Sequence, residues 1–147
     1  MGSKGQRILT LIAVSLFVLS VGTVVFISLD PSPESDPFTE FYVLGPNGSA
    51  SNYPTELATG ETGRLVVGIA NHEHETTVYT VAIQLDGRIL ERRTARVASD
   101  DVWRDRISFV PRSTGRLELR LLLYRGGRPA MDAEPYRRLR LWIDVSA

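Results

Sequence analysis

Two hydrophobic patterns divide this chain. From Ile8 to Leu29, "ILTLIAVSLFVLSVGTVVFISL", 22 consecutive residues carry no charge. As a helix rising about 1.5 Å per residue, the run would be roughly 33 Å long. That matches a hydrocarbon core of about 30 Å, in which a helix satisfies its own backbone hydrogen bonds. Residues 8–29 are therefore predicted as a transmembrane helix. A cleaved signal peptide fits less well. Its apolar region is usually about 7–15 residues and ends at a small-x-small site, which "VFISLDP" matches poorly.

"DPSPESDP" (30–37) follows as a short linker, stiffened by three prolines. After it the period becomes two. "FTEFYVL" (38–44) reads as a first strand and "GPNGS" as the turn that ends it. Residues 45–62 are rich in Gly, Pro, Asn, Ser and Thr and read as an irregular connection. "RLVVGIAN" (64–71) and "TVYTVAIQL" (77–85) alternate strictly enough to give each strand one apolar face. Asp86-Gly87 predicts a tight hairpin into "RILERRTARV" (88–97), because a type I′ turn needs positive φ at both positions. That fourth run is the most polar and reads as an edge strand. "VWRDRISFV" (102–110), "RLELRLLLY" (116–124) and "YRRLRLWIDV" (136–145) complete the series. Seven short strands with regular turns and no amphipathic helix predict an all-β, immunoglobulin-like antiparallel sandwich over 38–147, preceded by the one membrane helix.

Charge sets the orientation. Lys4 and Arg7 precede the apolar run, while Asp30, Glu34 and Asp36 follow it. The positive-inside rule then places residues 1–7 in the cytoplasm and the sandwich outside the membrane. All 17 acidic residues lie beyond position 29, with 15 of the 17 basic ones, so the outer part is near −2. Such a balance argues against nucleic acid as a partner. The chain has no cysteine. That removes disulfides, thiolate metal sites and a cysteine nucleophile, and leaves the hydrophobic core to hold the domain.

The stretches "FYVLG" (41–45), "YPTEL" (53–57), "GIANHE" (68–73) and "YTVAIQLDG" (79–87) resemble an uncharacterised archaeal membrane-protein family, the domain of unknown function sixteen-sixteen. "LRLWIDV" (139–145) resembles its closing strand. The resemblance implies a membrane protein with an extracytoplasmic immunoglobulin-like domain. The family has no established activity, so no catalytic residue carries over. The pattern "LxxGETGxLxVxIxNxE" is also similar to many bacterial and archaeal immunoglobulin-like modules.

The densest candidate chemistry is "NHEHE" (71–75), which holds both histidines of the chain. His72 and His74 share a face if the segment is extended, and a zinc ion bound there would take carboxylates as its remaining ligands. Glu73 and Glu75 would then point the other way. The segment also links two apolar strands, and as a polar turn it needs no ion. Asn71 suits such a turn by bonding back to the backbone, and Glu73 by accepting backbone N–H groups. The turn is the preferred reading, and no cofactor is expected. No G-x-S-x-G elbow or phosphate loop occurs. Asp100 and Asp101 read as loop residues rather than an acid pair, and a non-catalytic protein is expected.

Three further features concern the surface. Asn47-Gly48-Ser49 is a glycosylation sequon in a loop predicted to lie outside. Arg138, Arg140 and Trp142 alternate outward on the last strand, and Trp103 sits in a second Arg-rich stretch. Such residues are enriched in interface centres, though a Trp packed inward or covered by an arginine stem fits the same pattern. Lys4-Gly5-Gln6 ahead of the apolar helix resembles an archaeal prepilin cleavage site, with Arg7 departing from it. The expected function is a single-pass, membrane-anchored binding or scaffolding module, an accessory subunit of a membrane or cell-envelope complex with a protein partner there. The alternatives are a pilin-like filament subunit and a ligand- or metal-binding surface domain.

Overall fold

The computed structural model describes residues 4–13 and 35–147. The chain divides into two compact units, Met1–Ser35 and Asp36–Ala147. In the first, residues 4–13 are helical, and Ile8, Leu9, Leu11 and Ile12 are exposed. The membrane helix predicted over 8–29 lies outside the described residues from position 14 onward, as does the predicted linker up to position 34. Among the described residues no helix is long and apolar enough to cross a membrane.

The second unit is built of eight strands: β1 (Phe38–Leu44), β2 (Glu56–Ala58), β3 (Gly63–His72), β4 (Thr77–Leu85), β5 (Arg88–Val97), β6 (Val102–Phe109), β7 (Gly115–Arg125) and β8 (Arg137–Ser146). They form a three-stranded sheet, β1-β3-β6, and a five-stranded sheet, β2-β8-β7-β4-β5. Every pairing is antiparallel except that of β2 with β8, which is parallel. The sequence predicts seven of these strands. β2 falls inside the stretch read as irregular, because three residues are too few to show a period.

Alternation explains the core. Leu65, Val67 and Ile69 of β3 face Tyr79, Val81 and Ile83 of β4 and Leu119, Leu121 and Leu123 of β7 within one cluster, each at most 2% exposed. Ile107 and Phe109 of β6 and Ile143 and Val145 of β8 complete it. The β4–β5 hairpin turns as predicted, with Asp86 at φ 50° and Gly87 at φ 81° between the pair Leu85 and Arg88. β5 does lie at the end of its sheet. An ion pair from its Arg93 to Asp105 of β6 ties that margin to the other sheet.

On the outer face of the three-stranded sheet, Tyr42, Gly68 and Arg104 stand opposite one another across β1, β3 and β6. The Tyr42 ring lies over Gly68 so closely that a Cβ there would sit 2.3 Å from it. Arg104 Nε donates to the Tyr42 hydroxyl at 3.0 Å. At the far margin of the five-stranded sheet, β2 pairs only with Asp144–Ser146 of β8. The Asp144 N–H donates there to the Thr55 carbonyl at 2.7 Å, and the Thr59 N–H to the Ser146 carbonyl at 2.8 Å.

Candidate functional site

"NHEHE" is the crossing from β3 in one sheet to β4 in the other. Asn71 anchors it. Its side chain is fully buried (0% exposed). Nδ2 donates to the carbonyls of Glu75 at 2.7 Å, Val97 at 2.8 Å and Ala98 at 3.2 Å. Oδ1 accepts from the Glu73 N–H at 3.0 Å and the Tyr79 hydroxyl at 3.2 Å. The backbone bonding expected of Asn71 is present. His74 takes a positive φ, 62°, where the chain reverses.

Glu73 does something that its sequence position does not announce. Its side chain is 7% exposed. Oε1 accepts from the Thr39 hydroxyl at 2.6 Å and the Tyr136 hydroxyl at 2.9 Å, and pairs with the Arg125 guanidinium. Arg125 also lies 4.0 Å over the Tyr136 ring, within cation–π range. Thr39 is hydrogen-bonded in turn to Tyr79 at 2.7 Å. So the carboxylate gathers β1, β7 and the approach to β8 onto the crossing. Accepting backbone N–H groups, the role expected of it, is not what it does. Burial alone would raise its pKa, but the Thr39, Arg125 and Tyr136 hydrogen bonds outweigh that and hold it below the ordinary carboxylate value.

His72 turns to acids other than Glu73 and Glu75. His72, the last residue of β3, directs Nδ1 to Asp100 at 3.4 Å and Nε2 to Glu40 at 3.8 Å. Its two ring nitrogens thus address separate carboxylates rather than one point. Among the described residues, no group of three or more such side chains is arranged to hold a metal. Asp100 takes a left-handed turn position, at φ 61°, and its N–H donates to the Asn71 carbonyl at 2.7 Å. The Asp101 carbonyl accepts the Asn71 N–H at 3.0 Å, and its Oδ1 accepts the N–H of its neighbour Val102. Both acids therefore bind the turn to the end of β3.

The outward face of β8 is the open surface. Arg138 and Arg140 are exposed, and Trp142 is 42% exposed. The Arg116 and Arg140 guanidinium carbons lie 5.1 and 5.6 Å from the Trp142 ring centroid. Arg140 stands directly opposite Arg120 of β7, and both turn to Glu118. Like charges facing across a strand pair repel, and one carboxylate offsets only one of the two. Arg138 pairs with exposed Glu134 at 3.1 Å.

Trp103 does not join this surface. It is half-buried against the core on β6, in the other sheet. Counting back by two from Phe109 and Ile107 puts it on the inward face, a signal present in the sequence. Asn47 is exposed in the loop between β1 and β2.

A family model described as a domain of unknown function (DUF1616) matches residues 32–144. No curated protein matches the chain. Among solved structures it is similar to the CARDB domain of a Pyrococcus furiosus protein, a crystal structure in complex with di-metal ions. The identity is 10% and the TM-score 0.58, over 78% of this chain and 97% of that one. It is also similar to part of a beta-glucosidase from Listeria innocua in complex with glucose, at 10% identity and TM-score 0.57, over 76% of this chain and 16% of that one. A human seminal-plasma complex of zinc 2-glycoprotein and prolactin inducible protein gives 11% identity and TM-score 0.52, over 78% of this chain and all (100%) of the matched one. At these identities the likeness is one of fold: an immunoglobulin-like β-sandwich.

Proposed function

The chain belongs to the DUF1616 family, and from that premise we propose that it is a single-pass membrane protein whose sandwich acts outside the membrane as a non-catalytic binding or scaffolding module. It serves as an accessory subunit of a membrane or cell-envelope complex. The observation that carries this reading is the exposed face of β8, where the guanidiniums of Arg116 and Arg140 both lie within cation–π range of the Trp142 ring. Tryptophan and arginine dominate the energetics of many protein interfaces. The uncharged run from Ile8 to Leu29, with basic residues before it and acidic ones after, supports the anchor and its orientation. The helical, exposed apolar residues at its start are consistent with that. Glu73, His72, Asp100 and Asp101 around the crossing are engaged in contacts that hold the turn, which supports a role without catalysis.

The test is co-purification. The full chain carries a C-terminal tag and is extracted from its native membranes in mild detergent. Mass spectrometry then identifies what elutes with it. A near-stoichiometric envelope or membrane protein is expected, and its recovery should fall with Trp142→Ala. Elution of the chain alone across several detergents would remove the accessory-subunit reading.

A further inference from the structure

The interior of the sandwich is unevenly closed along β8. At the end of β8 that β2 joins, the inward Val145 is 6% exposed, and Ile143, just before the paired residues, is 0% exposed. Further back along the same face, Leu139 and Leu141 are only half-buried. Their cross-strand partners on β7, Leu121 and Leu119, are 0% exposed. Alternation is the same for all four leucines, so the difference comes from the neighbour on the other side. β2 ends its pairing at Asp144, and among the described residues no strand pairs with that side of β8 over residues 137–143.

The backbone there points outward. Asp144 directs its N–H to Thr55 on the β2 side. The two-residue period of a strand turns the main-chain groups of Arg138 and Arg140 the same way. Such a row of main-chain groups is a template for another strand.

We propose that this edge of β8, unpaired among the described residues, receives an extended acidic segment of a partner protein as an added strand. The proposal rests on the binding-module reading and names its partner's chemistry. The added strand would continue the sheet where β2 leaves off and lay apolar residues over Leu139 and Leu141. Its outward residues would alternate with these and meet Arg138 and Arg140, where acidic side chains form bidentate pairs with guanidinium. The arginine opposition at Arg120 and Arg140, with one carboxylate between them, leaves positive charge for such an acid to neutralise. A second copy of this chain fits poorly. Symmetric edge-to-edge pairing of two β8 strands would set arginines against arginines.

The test uses the full chain in detergent and fluorescent synthetic peptides, read by anisotropy. One peptide alternates valine and glutamate, one alternates valine and lysine, and one is the valine–glutamate peptide with its edge-facing amides methylated. Only the first should bind. The methylated form should lose at least about tenfold, as expected for one or two main-chain bonds. Arg140→Pro, which removes an edge-facing N–H, should weaken binding similarly. Arg138→Glu with Arg140→Glu, both exposed, should reverse the preference toward the lysine peptide. Equal binding of the methylated peptide would overturn strand addition, while binding only to anionic lipid vesicles, or a dimer abolished by Arg140→Pro, would overturn the acidic partner segment. If the co-purifying partner is retained by the double-glutamate variant, this edge is wrong while the binding reading stands. If no partner co-purifies from native membranes, the wider reading fails whatever the peptides do.

Discussion

The Tyr136 hydroxyl donates to Glu73 at 2.9 Å, although 63 positions separate the two residues in the chain. One buried carboxylate thereby closes the end of the sandwich where β1 begins and β7 ends. Thr39 and Arg125 bring the other two sides to the same oxygen.

Glu73→Gln keeps the shape and removes the charge. It should cost about 1–3 kcal/mol at neutral pH, since hydrogen bonds from Thr39 and Tyr136 weaken and Arg125 loses its counter-ion. Denaturant unfolding measures it. The pH dependence has a definite sign. A carboxyl whose folded pKa is depressed stabilises the fold above its unfolded value and loses that contribution as pH falls through the folded one. Wild-type stability should therefore fall below about pH 4, the ordinary carboxylate range, and Glu73→Gln should flatten that fall. Identical acid profiles would remove Glu73 from the account.

Asn71→Asp separates donor from acceptor. The carboxylate can still accept from Tyr79 and the Glu73 N–H, but it cannot donate to the carbonyls of Glu75, Val97 and Ala98. With the side chain fully buried, the loss should be at least about 2 kcal/mol. Asp as well tolerated as Asn, judged by melting temperature, would mean that the donor bonds carry little.

Gly68→Ala tests the contact on the other sheet. The new methyl would force the Tyr42 ring off β3 and break its bond to Arg104, costing about 1–3 kcal/mol as overpacking does. Tyr42→Ala on top of Gly68→Ala should recover part of the loss. A double-mutant cycle reads that coupling directly.

Trp142→Ala should behave in the opposite way. The ring is substantially exposed, so stability should change by less than about 1 kcal/mol. Partner recovery should nevertheless drop in the co-purification experiment. A large loss of stability with unchanged recovery would make the Arg116–Trp142–Arg140 stack a structural brace.

Seven strands are legible in the sequence because period-two alternation is local: every inward leucine of β7 announces itself two residues from the next. β2 is not legible. Its identity depends on Leu57 entering a core assembled elsewhere and on a parallel pairing with β8, far along the chain. The Glu73 cluster is illegible for the same reason. Nothing near position 73 points to 39, 125 or 136, and only the topology brings them together. Asn71 is readable in part, since an Asn at a strand end is a common backbone partner. Trp103 reads as surface from its flanking arginines, yet its parity with Ile107 already denies that. The outward set Arg138, Arg140 and Trp142 follows from parity alone.

β2 and β8 run in the same direction, and one lies toward the start of the chain and the other at its end. A pull on the domain from its N-terminal side, resisted at its C-terminal end, would slide these strands lengthwise past each other. The bonds from Thr55 to Asp144 and from Thr59 to Ser146 would then share the load and have to yield together, whereas bonds peeled from one end fail singly. Once such a pull had passed β1 and its pairing with β3, three residues of parallel pairing would thus act as a mechanical fastener.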